Sequence, residues 1–224
     1  MAVRTITKTN ELDGQQNPLV TPQGTYVQEI KQLFAGYRKL DPPVQRRLAV
    51  PLDVPRQLLL NAKAVGCCRM EAVADISIIA FFFLLRSCEY TAAPESNRRQ
   101  TIPFQWKDVQ LWENTSRLSM FLPYTELVKQ CTAVTLCLLN QKLGRRGAPI
   151  THHELDDDHP AADVCPVKVV LRQLQNSRKH SKFQRHIIST YVTKKNELAT
   201  ISARTITAAL KRCVKMLKLD EIGI

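Results

Sequence analysis

The chain alternates between stretches with helical periodicity and stretches with strand character. In several segments apolar residues recur three or four positions apart, which is typical of helices that bury one face. Gly66 is expected to end one of these helices and Ser202 to cap another. The pattern predicts helices over Tyr26–Arg38, Pro55–Val65, Met70–Tyr90, Cys165–His180 and Ile201–Leu219.

The middle of the chain has the alternating, β-branched and aromatic character of short strands. We expect strands in "WKDVQLW" (106–112), "RLSMFLPY" (117–124) and "AVTLCLLNQ" (133–141). The segment "NQKLGRRGAP" (140–149) contains two glycines and predicts a turn between strands, and "HHELDDDHPAAD" (152–163) predicts an acidic loop. Helices, then a small antiparallel sheet, then further helices predict an α+β fold that is mainly α.

Prolines separate the first predicted helix from the rest of the chain. Pro42, Pro43, Pro51 and Pro55 fall in one short stretch and break the helical pattern. We therefore expect residues 1–45 to form an N-terminal tail and a linker helix, and residues 46–224 to form the principal domain.

The charge of the chain narrows the class of partner. Lys and Arg total 32 against 20 Asp and Glu, giving a net charge of +12 and an isoelectric point near 9.6. This excess favours a polyanionic partner, nucleic acid ahead of membrane. The seven cysteines include no CxxC pair, which indicates reduced thiols in a nuclear or cytoplasmic protein. We expect no signal peptide at the N-terminus, because it has no apolar core region, and no membrane span in the longest apolar run, because that run is too short.

A charged pair ends that apolar run. In "IIAFFFLLRSCEY", Arg86 and Glu89 are three residues apart and would share one face of a helix. Burying a charge is costly unless it is paired or contacts a ligand. Two interpretations follow: an ion pair that stabilises the helix, or a rigid apolar helix that holds Arg86 against an anionic substrate.

An ordered set of motifs resembles the catalytic domain of tyrosine recombinases, the phage-integrase superfamily. The motifs are "AFFFLLRSCEYT", "IPFQWKDVQLW", "LLNQKLGRRG", "CPVKVVLRQL" and "ISARTITAALKRCVKMLKL". The likeness extends from about Asp41 to the C-terminus and is greatest to variants carried by mobile elements of oomycetes, diatoms and other eukaryotes. It implies an integrase-like catalytic domain, preceded by the end of a core-binding domain.

The resemblance also implies roles for individual residues. Arg86 would be the first catalytic arginine, Glu89 its support, and Lys142 the lysine that protonates the leaving oxygen. A guanidinium can bind two phosphate oxygens at once and stabilise their charge in the transition state. Arg145 and Arg146, beside Lys142, would contact backbone phosphates.

The family pattern continues with a second arginine motif and a tyrosine nucleophile, and neither has a match after Leu219. Tyr191 precedes the last predicted helix and does not fit the nucleophile. The resemblance therefore implies a C-terminally truncated domain that binds DNA without strand transfer. Two alternatives stay open: a DNA-binding module derived from a recombinase, and an unrelated helical interaction domain.

Two further segments are candidate sites. The basic segment 176–195 contains Arg178, Lys179 and Lys182, which would contact phosphates or, alternatively, form a solvated linker. The acidic segment at 152–163 is interpreted as a solvated loop rather than a metal site, because its spacing matches no zinc pattern. We expect no metal and no cofactor. The expected partner is double-stranded DNA, with a homo-multimer on the DNA as a further expectation.

Overall fold

The computed structural model describes residues 21, 23, 25–33, 50–92, 103–138 and 148–219. The chain divides into two compact units, Met1–Arg46 and Arg47–Ile224. In the first unit, residues 28–33 form a short helix with largely exposed side chains. The helix predicted over Tyr26–Arg38 thus begins two residues later than expected, and its part 34–38 lies outside the described residues.

The described helices of the second unit include one in each segment where the sequence predicts a helix, with altered boundaries, and one further helix that it does not predict. They are α1 (Asp53–Val65), α2 (Cys68–Phe82), α3 (Ser87–Tyr90), α4 (Tyr124–Gln130), α5 (Pro166–Ser177) and α6 (Ala203–Met216). Gly66 ends α1 in the left-handed conformation with a φ of 60°, as expected for a helix C-terminus. The Ser202 hydroxyl accepts the N–H of Thr205 at 3.2 Å and so caps α6.

Within the described ranges, the strands form two antiparallel sheets. The larger sheet has the order β2-β1-β3-β4. Its strands are β1 (Val109–Glu113), β2 (Ser116–Leu118), β3 (Ala133–Leu138) and β4 (Ala148–His153), and the smaller sheet pairs β5 (Thr190–Val192) with β6 (Leu198–Thr200). The fold is therefore α+β, mainly α, with a small antiparallel sheet, as the sequence predicts.

Helix α2 is the centre of the second unit. All its residues from Ala72 to Ile79 are buried, and it packs against α1, α5, α6 and β5. A helix that is apolar on every side must be surrounded by other elements. The same core also contains the fully buried Trp106, Leu111 and Val134, which come from the larger sheet and the turn of helix before it. Even so, no helix in the described part of the chain is long and apolar enough to cross a membrane.

The prediction of one continuous helix from Met70 to Tyr90 is wrong. Helix α2 ends at Phe82, Leu84 takes a left-handed φ of 52°, and a separate helix α3 begins at Ser87. The sequence holds no glycine, proline or polar cluster at this point, so the usual signals of a break are missing. Leu84 is 86% exposed at this break, whereas its neighbour Phe83 is buried in the core.

Other differences arise where strand pairing or local turns override the pattern. The predicted strand 106–112 begins with a 3-10 helix, Trp106–Asp108, and the strand 117–124 shrinks to the end of β2 followed by the unpredicted α4. The acidic segment begins inside β4, because His152 and His153 pair with β3. Strand β5 lies within the basic segment 176–195, for which a solvated linker is one interpretation, and β6 follows that segment. Most of the turn 140–149 lies outside the described residues, but the strands on either side of it pair antiparallel.

Candidate nucleic-acid interface

Arg86 stands in the break between α2 and α3, with an extended backbone. Its N–H donates to Glu89 Oε2 at 2.7 Å, and the Glu89 N–H donates to the Arg86 carbonyl at 2.8 Å. The distance from Arg86 Nη1 to Glu89 Oε1 is 3.5 Å. Arg86 precedes α3, so the prediction that it shares a helix face with Glu89 is wrong. Glu89 lies inside α3, and its carboxylate caps the start of that helix by accepting the Arg86 N–H.

Burial separates the two partners of this pair. The Glu89 side chain is 5% exposed, whereas the Arg86 side chain is 49% exposed. The buried carboxylate satisfies a backbone N–H and one side of the guanidinium, as a buried charge requires. Half of the arginine side chain remains accessible, so it is open to an anionic ligand.

Backbone and ring contacts hold the segment around Arg86. The Phe104 N–H donates to the Glu89 carbonyl at 2.7 Å, which ties α3 to the chain that leads into β1. Nε2 of His152 donates to the Phe82 carbonyl at 2.9 Å, and its ring lies edge-on to Phe83 with centroids 4.7 Å apart. β4 thus supports the C-terminal end of α2, immediately before Arg86.

The second predicted group of site residues is outside the described part of the chain. Lys142, Arg145 and Arg146 belong to residues 139–147, which separate β3 from β4. The described strand β4 follows that segment and contacts the end of α2 through His152. The prediction for these three residues therefore stays a prediction.

The three predicted phosphate contacts after α5 have different environments. The Arg178 guanidinium donates to the carbonyls of Leu122 at 2.7 Å and Phe121 at 3.0 Å, so it is engaged within the protein. Lys179 and Lys182 are exposed. Arg185, which the sequence interpretation omitted, is also exposed and ends the 3-10 helix Phe183–Arg185.

Several other cations are bound internally and are not available to a ligand. Arg172 binds the fully buried Asp75 through Nε, at 3.0 Å from each carboxylate oxygen, and through Nη2. Arg56 binds Asp163 at 2.9 Å and also donates to the Pro160 carbonyl. The net charge therefore overstates the cationic surface.

The acidic segment has an internal partner rather than a metal-like geometry. Lys168 Nζ lies 2.6 Å from Asp157 Oδ1 and 3.7 Å from Glu154 Oε1. The hydrogen bond from Lys168 holds the pKa of Asp157 below its usual value. In the described ranges, no group of three or more His, Cys, Asp or Glu side chains is placed to hold a metal ion.

Tyr191 lies in β5 with its ring buried among core residues. Burial raises the pKa of its phenol, which makes the phenolate harder to form. Its position and environment thus give no support to a nucleophilic role, in line with its omission from the predicted site.

Comparison with known proteins returns no match. No protein-family model fits the chain, and neither a curated protein nor a solved structure is significantly similar to it.

Proposed function

We propose that this chain binds double-stranded DNA through the phosphate backbone, as a tyrosine-recombinase-type catalytic domain would, with Arg86 on a phosphate. The observation that carries the proposal is the asymmetric Arg86–Glu89 pair. Glu89 is buried and anchored to the backbone, and the Arg86 guanidinium that it holds is half-exposed.

This arrangement suits phosphate binding for a physical reason. A guanidinium presents several N–H donors in one plane, and a phosphate accepts two of them at once. Among the described residues, Glu89 is the only ion-pair partner of Arg86, and its contact at 3.5 Å is long. The hydrogen bond from the Arg86 N–H to the buried Glu89 fixes the backbone of Arg86, which reduces the conformational freedom that this residue loses when it binds an anion.

The exposed cations after α5 extend the same proposal. Lys179, Lys182 and Arg185 are exposed, and the chain has a net charge of +12. Each phosphate contact releases a counterion from DNA, so such residues supply affinity that is independent of sequence. By the same resemblance, Lys142 contacts the leaving oxygen and Arg145 and Arg146 contact neighbouring phosphates.

The proposal concerns binding and not strand transfer. Strand transfer by this family requires a second arginine and a tyrosine nucleophile, and the motifs by which this chain resembles the family supply neither of them. A location with access to DNA, in the nucleus or the cytoplasm, is part of the proposal, as is a homo-multimer assembled on the DNA.

The test is the salt dependence of binding to a fluorescent duplex, measured by anisotropy. We expect log affinity to fall linearly with log salt, and Arg86→Ala to reduce the slope by about 0.9, the value for one phosphate contact. The control is Arg56→Ala, because Arg56 is engaged by Asp163 and Pro160. Circular dichroism would confirm that both variants fold.

Two results would contradict the proposal. If Arg86→Ala keeps both the affinity and the slope of the parent chain, Arg86 is not a phosphate contact. If the parent chain has no salt-dependent affinity for duplex DNA, the alternative of an unrelated helical interaction domain is favoured.

A further inference from the structure

A cavity of about 480 Å³ opens beside the edge strand β2. Its wall combines β1, β2, the segment that follows β2, and the 3-10 helix Phe183–Arg185. The volume falls within the range of roughly 300–1,000 Å³ that is typical of small-ligand sites. Five of its lining side chains carry an aromatic ring, a positive charge or an amide: Lys107, Gln110, Arg117, Phe121 and Gln184.

Phe121 is an exposed aromatic ring with a fixed position. Its side chain is 63% exposed, yet its ring meets the buried Phe183 edge-on, with centroids 5.5 Å apart and planes at 72°. Its N–H donates to Ser119 Oγ at 3.2 Å, and its carbonyl accepts from Arg178. An aromatic face that is held rigid and left open to solvent is the geometry of a stacking platform for a nucleic-acid base.

The polar side chains of the cavity complement a nucleotide. Lys107 and Arg117 are exposed cations, and no acidic side chain in the described residues lines the cavity. Gln110 and Gln184 carry amides that both donate and accept, as the edges of bases do. Aromatic, cationic and amide groups thus face one space of nucleotide size.

We propose that this cavity accommodates one unstacked nucleotide of a DNA single strand. Phe121 stacks on the base, Lys107 and Arg117 each bind one of the two adjoining phosphates, and Gln110 and Gln184 contact the edge of the base. The inference rests on the proposed DNA binding and adds a second type of substrate, a strand with an accessible base.

The neighbouring surface offers a continuation for the strand. Lys182 and Arg185 flank Gln184 in the sequence, and both are exposed. A positively charged path next to an aromatic platform is the usual arrangement for binding single strands. Arg178 is a positioning residue in this arrangement, because its bonds to the carbonyls of Phe121 and Leu122 hold the loop that carries the ring.

The experiment compares a short fluorescent oligothymidylate with a duplex of equal length. Phe121→Ala should lower the affinity for the single strand about tenfold and leave duplex affinity unchanged, because only an accessible base stacks. Phe121→Trp should restore single-strand binding. Val65→Ala is the matched control, because Val65 is a similarly exposed apolar residue at the end of α1.

Salt titration then separates the charged residues. Lys107→Ala and Arg117→Ala should each reduce the single-strand slope by about 0.7, the value for one phosphate. Arg178→Ala should weaken single-strand binding with an unchanged slope, because it positions Phe121 and does not itself bind phosphate. A fall in slope for Arg178→Ala would overturn the positioning role.

The failure of this inference differs from failure of the proposed function. If Phe121→Ala binds the single strand as tightly as the parent chain while duplex binding stays salt-dependent, the cavity is not a nucleotide site and the proposed function stands. If Phe121→Ala changes only the oligomeric state, the patch is a protein contact, which also overturns the inference. If neither probe binds in a salt-dependent manner, both proposals fail.

Discussion

Two arginine–carboxylate pairs are built on α2 and the segment that follows it. In both, the carboxylate is the more buried partner, and the pairs differ in how closely the carboxylate engages the arginine. Asp75, inside α2, is fully buried and is bound by two nitrogens of Arg172 from α5. Glu89, in α3, is nearly as buried, but Arg86 contacts it through one nitrogen at 3.5 Å and is 49% exposed. The first arginine neutralises a core charge, and the second presents a charge to solvent.

The comparison shows that residue type and spacing do not distinguish a structural arginine from a binding one. Arg172 lies 97 residues from Asp75 along the chain, so the packing of α5 on α2 creates the pair. Arg86 and Glu89 are three residues apart, so local chain geometry creates theirs. Removing each partner in turn tests most directly whether the two arginines have these different roles.

Arg172→Ala should have the largest effect on stability. It leaves the Asp75 charge buried without a partner, which should lower the free energy of unfolding by about 3–5 kcal/mol. Urea denaturation followed by circular dichroism measures this. Pairing it with Asp75→Asn should recover part of the loss, because the uncompensated charge is then absent. A loss as small as that of Arg86→Ala would contradict the assigned difference between the two pairs.

The pH dependence of the same variant has a defined sign. Burial already raises the pKa of Asp75, despite the opposing effect of Arg172. Without Arg172 the pKa of Asp75 in the folded state rises further. At pH values between the ordinary pKa and this raised pKa, the folded state therefore binds more protons than the unfolded state. Unfolding free energy should therefore fall as pH rises through the acid range and recover at low pH.

Glu89→Ala and Arg86→Ala should separate support from ligand contact. Glu89→Ala removes the acceptor of the Arg86 N–H at the start of α3, and we expect a loss of about 1–2 kcal/mol. Arg86→Ala removes one long contact at 3.5 Å from a half-exposed side chain, while Glu89 keeps its hydrogen bond from the backbone N–H of residue 86, so the loss should be less than about 1 kcal/mol. Hydrogen exchange of α3 amides and thermal melting measure both. Equal stability of Glu89→Ala and the parent chain would exclude the capping role.

Leu84→Gly should stabilise the break that places Arg86. A non-glycine residue at a φ of 52° is strained, and the exposed Leu84 side chain contributes little burial. Relief of the strain outweighs the added entropy of glycine in the unfolded chain, so we expect a gain of about 0.5–1 kcal/mol. Leu84→Ala, which keeps the strain, is the control. A gain for alanine equal to that for glycine would contradict this explanation.

His186 has no ion-pair partner among the described residues. We expect its effect on stability to be the smallest of those considered. Burial, and secondly the His180 ring 5.3 Å away, lower the His186 pKa below its ordinary 6.5. As the pH falls, the unfolded state therefore binds a proton at His186 before the folded state does. The free energy of unfolding should decline as the pH falls below about 6.5. Unfolding titrations from neutral to mildly acidic pH would detect this. His186→Gln should flatten the decline, whereas replacement of the exposed His153 should not.

The sequence predicted local features where a few adjacent residues decide the structure. Gly66 ends α1 and Ser202 caps α6 because each depends on its own backbone conformation or side chain. The apolar character of α2 predicted a buried helix, and strand β3 was recognised from its β-branched residues. The α+β class followed from the order of these elements.

Only part of the candidate interface could be predicted from sequence, because its properties depend on contacts between residues that are far apart in the chain. The pattern could not show that Arg178 is engaged by two carbonyls, or that Phe121 stays exposed after β2. It also missed the break at Leu84, where an apolar residue takes a conformation usually left to glycine. Exposure and partner choice are outcomes of packing, and packing joins residues that are far apart in the chain.

Without a structure, one can predict the helices with strong periodicity, the cationic excess and the proximity of Arg86 to Glu89. Each of these follows from composition or from neighbouring positions. The tertiary structure decided which arginines are neutralised inside the protein, which aromatic ring faces solvent, and how β4 supports the end of α2. The free energy of a charge or a ring depends on its burial and its partners, and only the assembled fold sets both.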